Sequence, residues 1–280
     1  MDIVRTVADL RKHIAVWRKR DERVGLVPTM GALHQGHMAL VEAARTECAR
    51  VVASIFINPK QFAPTEDLGS YPRRELADLE MLQSARADFV FIPAVDEMYP
   101  PDFATLVQVD GLTEGLCGAQ RAGHFDGVTT VVTKLLIQAL PDIAYFGEKD
   151  YQQLMVVRRL ARDLDLPVRI AGVPTVREPD GLALSSRNVY LSAQERRTAP
   201  NLARVLRSVA AALAIKPGAV ARELARGVRE LREAGLEIDY LEIREEETLR
   251  PVTVSVAARS RVLAAVRLGN TRLIDNMPIR

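Results

Sequence analysis

Apolar positions along the first 170 residues recur with two alternating periods. Between Thr6 and Lys19, the residues Val7, Leu10, Ile14 and Trp17 return every three or four positions, and Thr6 with Asp9 has capping-box spacing, so a helix is expected there. Gly36–Arg50, with Met38, Val41 and Ala44 on one face, reads as a second helix. Tyr71–Arg86, with Pro72 near its start, His124–Leu140 and Tyr151–Leu164 follow the same period. Short apolar runs lie between them: Val24–Val27, Val51–Ile57, Phe89–Ile92, Ile143–Phe146 and Val168–Ala171. Val51–Ile57 is rich in β-branched residues and free of charge, as a strand at a sheet centre would be.

Strands alternating with helices point to parallel βαβ units. The expected fold is therefore α/β, a Rossmann-like doubly wound parallel sheet over residues 1–175. Ligands of such sheets sit where strand carboxyl ends meet helix N-termini, here after Val27, Ile57 and Phe146. From about Val176 the pattern changes. Two long helices rich in Ala, Arg, Leu and Glu are expected at Ser192–Leu213 and Pro217–Ala234, followed by strands at Glu237–Ile243, Val252–Val256 and Arg261–Leu268. Helices followed by strands suggest a smaller α+β domain, residues 176–280, acting as a lid.

Composition narrows the class of function. The 280 residues carry 38 Lys plus Arg against 36 Asp plus Glu, a net charge of +2, with 48% apolar and 26% charged residues. That balance argues against a nucleic-acid partner and against disorder. No apolar run approaches the roughly 18 residues of a membrane span, so no membrane partner is expected. The chain starts without an apolar signal region, and Cys48 and Cys117 are too few for a disulfide framework, which together suggest a cytoplasmic protein. Residues 1–175 hold 20 basic and 23 acidic groups, whereas residues 176–280 hold 18 and 13. The basic surplus of the second part reads first as a solvated arginine-rich surface.

The segment that carries chemistry is Pro28-Thr29-Met30-Gly31-Ala32-Leu33-His34-Gln35-Gly36-His37. It follows a strand and opens a helix, whose N-terminal N–H groups and dipole attract phosphate. Gly31 and Gly36 let backbone pass close to a ligand. His34 and His37, three residues apart, share a face of the first turn and can donate to phosphate oxygens. A zinc pair is the weaker reading, because no cysteine or carboxylate ligand lies nearby at metal spacing. Asn58 and Gln61, at the next ligand-facing rim, are neutral amides suited to a hydroxylated, anionic small acid. Gly147-Glu148-Lys149-Asp150 combines a close-approach glycine with a point charge for phosphate, and Asp150 reads either as a ribose acceptor or as a helix N-cap. Leu184-Ser185-Ser186-Arg187 offers two hydroxyls and a guanidinium for phosphates.

The H-x-G-H loop resembles that of the nucleotidyltransferases and class I aminoacyl-tRNA synthetases. The longer string around it resembles the pantothenate synthetase (pantoate–β-alanine ligase) family in particular. Four more blocks carry the same resemblance: Phe56–Phe62 with Glu66-Asp67 and Tyr71-Pro72-Arg73; Arg121–Val128; Phe146–Gln153; and Asp180–Asn188. Thr271-Arg272-Leu273-Ile274-Asp275 is similar as well.

The resemblance implies ATP as a substrate, condensed with pantoate and β-alanine through a pantoyl adenylate to give pantothenate, AMP and pyrophosphate. It implies that His37, His34, Lys149 and Arg187 are catalytic. ATP would be bound by Met30 through His37 (Met30, Gly31, Ala32, Leu33, His34, Gln35, Gly36, His37), by Gly147, Glu148, Lys149 and Asp150, and by Val176, Leu184, Ser185, Ser186 and Arg187. Pantoate would be held by Gln61 and Gln153, with Asn58 beside them. Mg²⁺ is expected to arrive with ATP. Glu66, Asp67, Glu75 and Asp78 have the donor type for a hard cation, but no metal ligand is assigned. A homodimer is implied, whereas His124 receives no role beyond organising its loop. The rival readings are another H-x-G-H enzyme with a dinucleotide product, a tRNA synthetase, for which the chain leaves little surface, and a non-catalytic nucleotide-binding module.

Overall fold

The computed structural model describes residues 1–64, 66–257 and 259–280. Its first sheet has six parallel strands: β1 (Asp2–Val4), β2 (Val24–Thr29), β3 (Arg50–Ile55), β4 (Phe89–Phe91), β5 (Ile143–Gly147) and β6 (Arg169–Val173). Their spatial order is β1-β4-β3-β2-β5-β6. The doubly wound fold expected from the alternating pattern is thus present. Only β1 was not anticipated, since three residues are too few to show a period. Strand β2 pairs with β3 on one side and β5 on the other, so the winding reverses at β2 and leaves a crevice at its carboxyl end.

The helices before and between these strands are α1 (Val7–Arg18), α2 (Gln35–Glu47), α3 (Glu75–Ser84), α4 (Val95–Met98), α5 (Cys117–Gln120), α6 (His124–Ala139) and α7 (Tyr151–Asp163). Thr6 caps α1 through the N–H of Asp9, as its spacing suggested. A parallel sheet needs cover on both faces, and each face has its own apolar cluster. Leu10, Ile14 and Trp17 of α1 pack with α6 and α7 on one face, and Trp17 stacks on Phe89 at 4.9 Å. Leu40, Val41 and Ala44 of α2 pack with Leu82 of α3 on the other.

The second sheet is antiparallel, with β7 (Glu237–Glu245), β8 (Ser260–Leu268) and β9 (Thr271–Ile279) in that order. Helices α8 (Ala193–Thr198), α9 (Asn201–Ile215) and α10 (Val220–Glu233) precede it, and α9 and α10 pack on the sheet. Two expectations are corrected here. The single helix over Ser192–Leu213 is split by Pro200, which has no N–H to continue the ladder. Val252–Val256 is not a strand: Pro251 alone bridges to Arg244, and Val254 stands 79% exposed. The third strand is β9, whose Arg272, Asp275 and Asn276 broke the apolar period that would have revealed it. Leu249 and Leu263 join the apolar cluster that includes α7, and Arg261 of β8 lies over the Tyr151 ring, so the small sheet is tied to the large one through α7 and the turn before it.

Candidate active site

The crevice at the end of β2 is built by a bent loop. Gly31 has φ +77° and Ala32 φ +49°, both left-handed, a conformation that costs a non-glycine residue about 1 kcal/mol. Asp78 of α3 holds this bend. It is 2% exposed, and its carboxylate accepts the N–H groups of Ala32 at 2.9 Å and Leu33 at 2.7 Å. A Cβ on Gly31 would meet that carboxylate at 2.9 Å. Burial pushes the Asp78 carboxyl up, and the two backbone donors oppose the shift.

The loop delivers His34 to the N-cap of α2 and His37 to its first turn. His34 Nδ1 accepts the N–H of Gly36 at 3.1 Å, and His37 Nδ1 accepts the N–H of His34 at 3.2 Å. Burial lowers the pKa of His34 to about 4 and that of His37 to about 3, with Lys149 and the neighbouring ring adding to the shift. Both rings are therefore neutral at pH 7. Since each Nδ1 accepts, each carries its hydrogen on Nε2, so both imidazoles present a donor. The ring centroids lie 4.1 Å apart.

A second group of side chains lies beyond β3. Pro59–Gln61 forms a 3₁₀ turn capped by Asn58, and Gly127 of α6 packs on it so closely that a Cβ there would lie 2.3 Å from the Lys60 carbonyl oxygen. Asn58 is 1% exposed and fully engaged: it donates to Gln61 Oε1 and to the Gly127 carbonyl, both at 3.0 Å, and accepts from Tyr99 at 2.8 Å. The structure thus puts Asn58 behind the cavity wall and not in it. Gln61 is fixed from both ends. Its amide Nε2 meets Met30 Sδ at 3.0 Å, and its backbone carbonyl accepts from His124 Nδ1 at 2.9 Å. His124 Nε2 accepts from Arg121 at 2.8 Å, and Arg121 forks onto Glu66 at 2.6 and 2.8 Å. The Arg121–Val128 block was legible as a string, but this relay was not, because its partners lie about 60 residues apart.

These groups surround a cavity of about 220 Å³. Of the residues singled out in the sequence, Met30, His34, Gly36, His37, Gln61, Gly147, Lys149, Asp150, Gln153, Val176, Leu184, Ser185, Ser186 and Arg187 line it. Gly31, Ala32, Leu33, Gln35, Glu148 and Asn58 do not. Glu148 turns instead to Arg261 at 3.4 Å. Asp150 forms no cap bond and lies 3.7 Å from Lys149 Nζ. A larger cavity, about 1000 Å³, shares the wall formed by Lys149, Asp150, Gln153, Ser185 and Arg187. The Ser185–Arg187 segment is tied across to the first part of the chain: Arg187 forks onto Asp67 at 2.9 Å twice, and Ser186 meets Tyr71 at 3.2 Å.

The acids considered for a hard cation are each already engaged. Glu66 pairs with Arg121, Asp67 with Arg187, Glu75 with Arg5 and Asp78 with backbone. Among the described residues no group of three or more His, Cys, Asp or Glu is arranged to hold a metal ion.

Comparison with known proteins decides between the readings of the H-x-G-H motif. The family model of pantoate–β-alanine ligase matches residues 2–278. The chain belongs to this family. It is 54% identical to the pantothenate synthetase of Paramagnetospirillum magneticum, covering 99% of this chain and 97% of that one, and 54% identical to that of Dinoroseobacter shibae, with 99% of each covered. The pantothenate synthetase structure from Thermus thermophilus superposes with a TM-score of 0.94 at 52% identity, covering 100% of this chain and 99% of that one. The pantoate–β-alanine ligase structure from Francisella tularensis, a complex with β,γ-ATP and β-alanine, gives 0.83 at 31% identity, covering 99% and 97%. The chain is an ATP-dependent ligase that joins pantoate to β-alanine, and a dinucleotide-forming activity is not favoured. No helix among the described residues is long and apolar enough to cross a membrane.

Proposed function

We propose that this ligase works by placing neutral and cationic donors around the ATP phosphates while two glutamines hold pantoate. One observation carries the reading: His34 and His37, whose Nδ1 atoms are spent on backbone N–H groups and leave Nε2–H as the donor, line the same cavity as Lys149, Arg187, Gln61 and Gln153. A pantoate carboxylate oxygen attacks the α-phosphorus, and the bond to the bridging oxygen breaks to release pyrophosphate. The β-alanine amine then attacks the acyl carbon of pantoyl adenylate, expelling AMP and losing a proton as the amide forms. The catalytic groups act by position and electrostatics, not as nucleophiles. The imidazoles donate without carrying charge, and Lys149 and Arg187 supply the positive charge.

Met30 and Val176 flank the nucleotide, Ser185 and Ser186 donate to the outer phosphates, and Asn58 acts through Gln61. The adjoining larger cavity gives the amine a route to the acyl carbon. Mg²⁺ is carried by the triphosphate, a reading supported by the acids being committed elsewhere. Residues 1–175 serve as the nucleotide- and pantoate-binding domain and residues 176–280 as the lid, joined by the Arg187–Asp67 pair. The enzyme is read as a cytoplasmic homodimer, the first from its unpaired cysteines and the second from family resemblance.

The test is pyrophosphate release from ATP, Mg²⁺ and pantoate, with and without β-alanine. Release must depend on pantoate, and His37→Ala must slow it by about 10²-fold or more in a folded protein. Release without pantoate, or an unaffected variant, overturns the reading.

A further inference from the structure

The Thr271–Asp275 block has no place in the mechanism above, yet its strand reaches into the site. Asp275 and Asn276 of β9 are each 3% exposed, unusual for polar side chains unless they are paired. Asn276 Nδ2 donates to the carbonyls of Glu148 and Lys149, both at 2.9 Å. Those carbonyls belong to the 3₁₀ turn Glu148–Asp150, which has no side-chain cap at its N-terminus. The turn carrying Lys149 is therefore held from outside, by the second sheet. Arg261 of β8 fixes the amide's direction, because its Nη1 donates to Asn276 Oδ1 at 2.5 Å. A flipped amide would set oxygen against two carbonyls and NH₂ against a guanidinium. Arg261 is 4% exposed, lies 4.0 Å over the Tyr151 ring and approaches Glu148 and Glu246 at 3.4 Å. The neighbouring Asp275 forks onto Arg177 at 2.7 and 2.8 Å, on the segment leading to Ser185–Arg187. Two successive side chains of one strand thus reach both phosphate-facing arms.

We propose that Asn276 is a positioning residue: it sets the backbone of the Glu148–Asp150 turn, and through it the location of the Lys149 ammonium in the cavity. Lysine is a point charge on a flexible stem, so where its charge can reach depends on where its Cα is held. The inference rests on the role given to Lys149 above.

A double-mutant cycle tests it, with pantoate-dependent pyrophosphate release and thermal melting measured for Asn276→Ala, Lys149→Ala and the pair. Asn276→Ala is expected to lower kcat/KM for ATP about tenfold or more, leaving the pantoate KM unchanged. In the Lys149→Ala background it is expected to do nothing further. Asn276→Ser, which keeps one donor, should fall between, and it carries the same cycle where the alanine variant does not fold. Effects that multiply across the two backgrounds, or a folded Asn276 variant with full activity, overturn the inference. Lys149→Ala with full activity removes the role of Lys149 and the inference with it. A slow Lys149→Ala beside an unaffected Asn276→Ala removes the inference alone.

Discussion

Each imidazole of the His34–His37 pair spends its Nδ1 on a backbone N–H of its own loop, and this decides what the pair can do. A ring that accepts at Nδ1 and is buried has one stable form, neutral with its hydrogen on Nε2. Imidazole ¹⁵N spectra at pH 6.5 should therefore show His34 and His37 as Nε2–H tautomers. His124, which donates from Nδ1 to the Gln61 carbonyl, should show the opposite one. With folded values of about 4 and about 3, neither ring gains a proton between pH 8 and 5. Pyrophosphate release should then show no inflection near pH 6.5 that His37→Ala removes, and finding one would contradict the neutral assignment. The sequence supplied both histidines and their shared face. It did not supply their protonation, which comes from burial and from the loop's own backbone.

Between elements, the H-x-G-H loop is shaped by an acid on another helix as well as by its glycines. Asp78 of α3 accepts two N–H groups of the loop after β2, 45 and 46 residues away in sequence. In Asp78→Ala these donors lose their acceptor, and a buried unpaired donor costs roughly 1–3 kcal/mol. The variant should lose about 2–4 kcal/mol in urea denaturation. It should also slow pyrophosphate release about tenfold, because the bend that aims His34 relaxes. Full activity with lowered stability would make Asp78 structural only. Reading the sequence placed Asp78 among possible cation donors, since a carboxylate's partner cannot be read from its type. Boundaries of the helices and strands were read to within a few residues where a period held, as for α1 and β3. They were misread where chemistry interrupted it, as in β9.

For the whole molecule, one buried histidine, His124, and two half-buried ones, His34 and His37, couple folding to pH in one direction. Burial holds His34, His37 and His124 at about 4, 3 and 4, below the ordinary value of 6.5. A depressed histidine pKa means that the unfolded chain binds the proton first. The stabilisation is complete above about pH 6.5 and is lost as pH falls from there through about 4. His124→Gln isolates one such contribution: the gap in urea midpoint between parent and variant should narrow as pH falls from 7 to 4.5. Parallel curves would show that His124 titrates alike folded and unfolded.

The amino-acid sequence by itself determined the doubly wound sheet, the crevice after β2 and most of the groups that face it. Those features rest on local period, on helix N-termini and on short strings such as His34-Gln35-Gly36-His37, all of which lie within one stretch of chain. Only the tertiary structure decided which of those groups are free to meet a ligand and which are spent on holding others. Asn58 was legible as an amide and proves to be a support for Gln61. Arg187 was legible as a charge and does both, lining the cavity while its guanidinium pairs with Asp67. Neither Asn276 nor Asp78 gave any sign in the sequence of the backbone it holds, because a hydrogen bond across more than 40 residues has no period and exists only once the chain has packed.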